Sequence, residues 1–183
     1  MKVFINPGHA PQGDPDPGAC NAATGLRESD VTATVAALVI HYLKKLDYEI
    51  TAVQSDDLVG DVVGAANSWQ ADIFVSIHCN SASNDAAQGV ETWYCHNSVA
   101  SAKLATLIQG QLINSLPLVD RGIKAATPGK NGLYVLTNTD MPACLVEMAF
   151  ISNGADEKLL ADQDRQDQFS RAIARGITDY FIN

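Results

Sequence analysis

Residues 72–81 read Asp-Ile-Phe-Val-Ser-Ile-His-Cys-Asn-Ser, a short β-branched and aromatic run that turns abruptly polar. Ile73, Phe74, Val75 and Ile77 lack helical spacing and fit a central strand buried on both faces of a sheet. A strand of that kind needs neighbours on either side and layers above and below, so it fixes much of what the remaining chain must supply. In open α/β sheets, ligands bind in the crevice outside the carboxyl ends of the strands. His78 stands at that end. One histidine there is more often a satisfied polar close to a strand than a working group, so the case depends on whether the arrangement recurs.

It recurs twice. Lys2–Asn6 reads as a first strand, broken at once by Pro7-Gly8-His9, which sets a second histidine at a strand end. Within Met141–Asn153, Ala143–Val146 is apolar, Glu147 ends the run, and Phe150 and Ile151 follow. A carboxylate inside such a segment needs a reason, because an unpaired buried charge is costly.

The intervening segments alternate strand and helix, the α/β pattern. Ala10–Arg27 is a long Pro, Gly and Asp-rich loop with turn chemistry at Asp14-Pro15-Asp16-Pro17-Gly18, and loops of this length in a compact domain are usually functional. A helix is expected over Ser29–Leu46, with Ser29 or Asp30 as N-cap and Val31, Val35, Leu38, Val39, Tyr42 and Leu46 on its core face. His41 falls off that stripe. Glu28, just ahead, suits the helix dipole and needs no further role on that account. Glu49–Val53 reads as a strand, Leu58–Trp69 as a helix, Val90–Cys95 as a strand, and a helix capped by Ser98 runs to Ser115 before Pro117. Arg121–Ile123 and Leu133–Leu136 are short strand candidates, His96 an exposed loop histidine, and 164–181 the closing helix.

At 183 residues the chain is expected to form one domain, residues 1–183, with a substantial core. A formal net charge of -9 with no basic stripe argues against nucleic acid as a partner. No apolar run is long enough to span a bilayer, so no membrane partner is expected, and the opening Met-Lys-Val-Phe-Ile-Asn-Pro-Gly-His is too soon broken for a secretory signal. As written, the chain is expected to be made in the cytoplasm. Cys20, Cys79, Cys95 and Cys144 show no C-x-x-C spacing and are read as reduced thiols. Cys79 beside His78 invites a thiol nucleophile, but strand alternation turns neighbours to opposite faces, and a buried small hydrophobe fits better.

If the strands ending at His9, His78 and Glu147 are parallel neighbours, their carboxyl ends converge, and Glu28 on the lip of the long loop can reach the same place. Two imidazoles and a carboxylate are a recurrent catalytic zinc set, and a second carboxylate can serve as base. The spacing does not say which carboxylate takes which part.

These residues resemble a known family. Ile-Asn-Pro-Gly-His at Ile5–His9, Asp16-Pro17-Gly18-Ala19, Gly25-Leu26-Arg27-Glu28-Ser29-Asp30, Phe-Val-Ser-Ile-His-Cys-Asn at Phe74–Asn80, Asp120-Arg121-Gly122-Ile123-Lys124 and Pro142–Asn153 are similar, in order, to the zinc-dependent N-acetylmuramoyl-L-alanine amidases of the amidase-3 type. The resemblance implies a mixed, mostly parallel sheet flanked by helices on both faces. It implies Zn2+ held by His9, Glu28 and His78, with Glu147 as the catalytic carboxylate that takes a proton from water and passes it to the departing amine. The implied substrate is peptidoglycan, cut at the amide between the muramic acid lactyl group and the first L-alanine of the stem peptide, by a monomer acting on the cell wall after release or export. Asn80 and Arg121 are candidates for orienting substrate, beside structural roles. Gln54 and Val62 or Val63 stand where the family often has arginine, which touches the groove and not the metal set. No occluding helix fits between Cys95 and Ser98, so no activator is expected. The competing readings are a zinc carboxypeptidase or endopeptidase, for which only Arg27 lies beside the ligands to hold a terminal carboxylate, and a catalytically silent wall-binding domain.

Overall fold

The run at 73–80 takes an interior place in a six-stranded sheet, as its apolar pattern requires. The computed structural model describes residues 1–54, 59–131 and 133–182. The strands are β1 (Lys2–Pro7), β2 (Glu49–Ala52), β3 (Ile73–Asn80), β4 (Val90–Cys95), β5 (Asp120–Ala126) and β6 (Ala143–Phe150), in the spatial order β2-β1-β3-β6-β4-β5. β2, β1, β3 and β6 run parallel; β4 is antiparallel to β6, and β5 is parallel to β4. The edge where β1, β3 and β6 finish is therefore also the edge where β4 and β5 begin.

The side-chain period of two sorts each strand between two cores. Val3, Ile5, Val75, Ile77, Cys144 and Val146 face helices α1 (Glu28–Lys44), α3 (Val99–Ser115) and α6 (Gln163–Ile182). Phe4, Phe74, Ala143 and Leu145 face α2 (Val59–Trp69) and the single turn α4 (Tyr134–Thr137). Each fully buried aliphatic or aromatic side chain contributes roughly 1.5–3 kcal/mol relative to exposure. The first face carries far more of them. The second is thinly covered by two short helices, and His78 and Glu147, by their even spacing from Phe74 and Leu145, point to it.

Several elements differ from expectation. α1 begins at Glu28, not at Ser29; Arg27 takes the N-cap position without a side-chain cap bond, and Ser29 Oγ is buried with no partner among the described residues. Leu46 lies beyond the end of α1 and is exposed, and Leu43 fills the core place assigned to it. Leu133–Leu136 is not a strand. Leu136 and Thr137 donate back to the Leu133 carbonyl and Asn138 to that of Tyr134, closing a turn that buries the adjacent Val135 and Leu136 against α2. Adjacent side chains cannot share one face of a strand, so packing overrode β propensity. Glu147 does not end its strand: β6 runs on to Phe150. An additional helix, α5 (Gly154–Ala161), precedes α6, with Asn153 accepting from the Ala155 and Asp156 amides as N-cap. Leu58, expected to open α2, lies outside the described residues.

Candidate metal and catalytic centre

The chain leaves β1 through Pro7-Gly8 and places His9 in left-handed backbone, φ 68°. Gly8 donates to the Ile77 carbonyl at 2.9 Å, and Thr32 Oγ1 donates to the Gly8 carbonyl at 2.9 Å, so the end of β1 is pinned to both β3 and α1. Two glycines make room for two imidazoles. A Cβ on Gly8 would lie 2.3 Å from the His78 ring, and one on Gly18 would lie 2.5 Å from the His9 ring.

Glu28, in the first turn of α1, stands between the histidines. Its Oε2 is 3.0 Å from His9 Nε2 and its Oε1 is 3.0 Å from His78 Nδ1. The Ala19 and Cys79 amides each donate to it at 2.9 Å, one per oxygen. Asp16 holds the far side of His9 at 2.7 Å from Nδ1, and is itself fixed by the Gly18 amide. The long loop thus exists to close on α1. One ligating atom from each of His9, Glu28 and His78 lies within 4.8 Å of the others, a group able to hold a metal ion. A histidine whose second nitrogen meets a carboxylate is the usual arrangement around a bound metal.

The electrostatics follow the pairing. Burial works against charge on Glu28, but hydrogen bonds and charges from His78 and His9 hold its carboxyl well below the usual carboxylate range. Burial likewise opposes a charged His9, yet Glu28 and Asp16 raise its pKa from 6.5 to about 9. Glu147 goes the other way. It lies opposite His78 in the β3–β6 ladder, immediately before the register shifts. Its Oε2 is shut off from solvent with no hydrogen bond to the described residues. Burial, aided by the charges of Glu28 and Glu91 and opposed by His78 and His9, pushes its pKa up to about 7.

Asn80 and Arg121 do lie at this edge, but both are engaged by a residue that sequence reasoning passed over. Glu91, the second residue of β4, is 4% exposed and pairs with Glu147 across the antiparallel ladder. Asn80 Nδ2 donates to it at 3.1 Å, Trp93 Nε1 at 3.0 Å and Arg121 Nε at 2.6 Å, and Lys124 Nζ lies 3.6 Å away. A lone glutamate in an apolar strand start was the available signal, the same one that drew attention to Glu147. Arg27 pairs with Asp30 and the Gln12 carbonyl, whereas Arg121 pairs with Glu91, the residue opposite Glu147 in the β4–β6 ladder. His41 is exposed on α1. His96 is half-buried, not exposed, and its Nδ1 has no partner among the described residues. Cys79 is buried, and burial pushes its thiol well above the ordinary range, which removes it as a nucleophile.

Hollows flank the centre. One, of about 290 Å³, has His9, His78 and Asp16 on its floor and Val59, Leu133, Tyr134 and Val135 as an apolar wall. The other, of about 560 Å³, is lined by Cys20, Asn21, Ser81, Ser83, Asp85 and Ser152. The first is walled largely by apolar side chains and the second has the more polar lining.

Residues 3–179 match the family model of N-acetylmuramoyl-L-alanine amidase. The chain is 35% identical over 184 residues to the N-acetylmuramoyl-L-alanine amidase LytC of Bacillus subtilis (strain 168), which covers 98% of this chain and 35% of LytC. It superposes with a TM-score of 0.90, at 30% identity, on the N-acetylmuramoyl-L-alanine amidase from Clostridium difficile 630, covering 100% of this chain and 97% of the other. The catalytic domain of CwlV, an N-acetylmuramoyl-L-alanine amidase from Bacillus (Paenibacillus) polymyxa var. colistinus, gives a TM-score of 0.88 at 32% identity, with 99% and 98% covered.

Proposed function

The chain belongs to the N-acetylmuramoyl-L-alanine amidase family, and on that premise we propose that it is a zinc-dependent peptidoglycan hydrolase. The bond cut is the amide between the lactyl group of N-acetylmuramic acid and the L-alanine of the stem peptide. The observation that carries this reading is the meeting of His9, Glu28 and His78 within 4.8 Å, with Glu147 paired to His78 beside them. The donor set suits zinc: two imidazoles and a carboxylate, with one Glu28 oxygen 3.0 Å from each imidazole nitrogen and one ligating atom of each residue within 4.8 Å of the others. When bound there, Zn2+ supplies Lewis acidity toward the amide carbonyl and toward water.

The chain's own residues supply the rest. Asp16 fixes the orientation of the His9 ring, and the Ala19 and Cys79 amides fix both oxygens of Glu28. Glu147 accepts a proton from the attacking water as the carbon–oxygen bond forms, then delivers it to the alanine nitrogen as the carbon–nitrogen bond breaks. A carboxylate raised to about 7 is matched to both transfers near neutral pH. Residues 1–183 serve as one catalytic unit acting on the wall as a monomer, needing neither nucleic acid nor membrane.

Digestion of purified peptidoglycan tests the reaction. New N-terminal L-alanine without new reducing sugar is expected; cleaved cross-links or glycan with intact lactyl-alanine bonds would replace this reading with an endopeptidase, carboxypeptidase or glycosidase, and no cleavage at all would leave a wall-binding domain. Elemental analysis tests the ligands: about one zinc per chain, lost in His9→Ala, Glu28→Ala and His78→Ala and kept in His41→Ala.

A further inference from the structure

Glu91 is buried at the edge where substrate must lie, and two cations are drawn to it rather than one. Arg121 and Lys124 project from β5 onto the same carboxylate, at 2.6 and 3.6 Å, and their side chains remain 35% and 34% exposed. Arg121 is held flat: its guanidinium sits 4.8 Å over the Phe150 ring, Nε is engaged by Glu91, and Nη2 makes no hydrogen bond to the described residues. One carboxylate against two cations leaves this trio positive, in a chain whose formal charge is -9 and beside a centre whose own side chains include Glu28, Glu147 and Asp16.

We propose that Arg121 and Lys124, positioned by Glu91, form an anchoring site for a carboxylate carried on the peptide side of the scissile amide. Neighbouring strands are about 4.8 Å apart, so β5 lies roughly 10 Å from β6 and its Glu147, with β4 between. Both cations lean back from β5 onto Glu91 of β4, so their heads lie short of that distance, and an extended peptide advancing roughly 3.3–3.6 Å per residue from Glu147 brings its second residue, about 7 Å on, to them. In a stem peptide that residue is a glutamate joined through its side-chain carboxyl, which leaves its main-chain carboxyl free or amidated. A flat guanidinium whose Nη2 is unspent, and whose Nη1 makes only a long 3.4 Å bond to the Gln88 carbonyl, recognises a carboxylate better than an amide, and the ammonium adds charge. Glu91 is a positioning residue here: it touches no substrate and sets the direction of Arg121.

This rests on the amidase reading, and the test separates the two. N-acetylmuramoyl-L-alanyl-γ-D-glutamyl peptides with the main-chain carboxyl free or amidated are compared on the zinc-loaded enzyme. The free acid should be preferred by about tenfold in kcat/KM, mostly through KM, and discrimination should fall toward unity in Arg121→Gln and in Lys124→Gln. Because the comparison within each variant uses one protein and two substrates, a partial loss of folded enzyme cancels. Equal cleavage of both peptides by the unaltered enzyme overturns the anchor and leaves the amidase intact. Undiminished discrimination in both variants overturns the assignment to these residues. Cleavage of neither peptide at the lactyl-alanine bond removes the amidase reading and the anchor with it.

Discussion

Glu147 carries the sharpest consequence of the site's chemistry at the scale of one residue. Its carboxyl is driven by burial to about 7, above the ordinary glutamate value of 4.5, so the folded state holds its proton more tightly than the unfolded chain does. Linkage then gives the sign: Glu147 costs no stability below about 4.5, its cost grows between about 4.5 and 7, and it is fully present above 7. In metal-free protein, Glu147→Gln should therefore raise Tm relative to the unaltered chain at pH 8, with the difference shrinking toward pH 5. The same variant, zinc-loaded, should keep its metal and lose roughly a hundredfold to ten-thousandfold in rate. A variant that loses zinc as well would make Glu147 a ligand, and one that keeps its rate would make it structural. The sequence showed this residue as a carboxylate stranded in an apolar run. Glu91 carries the same kind of signal, but nothing local says that a glutamate at the second position of β4 will face Glu147 across an antiparallel ladder.

Elements were legible where their pattern was local. β3 and β1 followed from apolar runs, and α3 from Ser98, which caps it by accepting from Ser101. α4 and α5 were missed for opposite reasons: four β-prone residues form a helical turn because α2 needs two adjacent apolar side chains, while the Asn153 cap was present in the sequence and overlooked. What no pattern announces is the close approach of backbone to ring at the end of β1. Gly8→Ala would set a methyl 2.3 Å from the His78 imidazole, so it should displace that ring, lower zinc content and cost about 1–3 kcal/mol of stability. Gly64→Ala is its control. That glycine is exposed within α2 with nothing within 4 Å of an added Cβ, and alanine there should stabilise by about 0.5–1 kcal/mol. Urea unfolding with zinc analysis on the two variants checks both signs, and equal effects would dissolve the argument that Gly8 is kept for the ring.

At the scale of the whole molecule, one sheet with unequal cover explains where the site lies. Long helices bury one face completely; two short ones leave the strand ends of the other open, and the reversal at β4 brings the starts of two strands to that opening. The proposed ligands come from the turn after β1, from β3 and from α1, elements already joined by the β1–β3 ladder and the Thr32 bond to Gly8, so metal binding at them would be coupled to folding. The coupling has a definite pH dependence. His9 is raised from 6.5 to about 9 by Glu28 and Asp16, so in metal-free protein its pairing stabilises fully below about 6.5 and is lost as pH rises through 9. Zinc needs the same imidazole without its proton, whereas Glu28 is already ionised across this range. Apparent zinc affinity should therefore rise about tenfold per pH unit between 6.5 and 8.5 from His9 alone, flattening near 9. Over the same interval, the Tm gained on adding zinc should grow as the stability of the metal-free form declines. Competition against a chelator of known pH behaviour measures the slope directly. A flat profile would mean that His9 is either not a ligand or not held protonated by its two carboxylates, and His9→Ala distinguishes these: it abolishes binding in the second case and leaves it in the first.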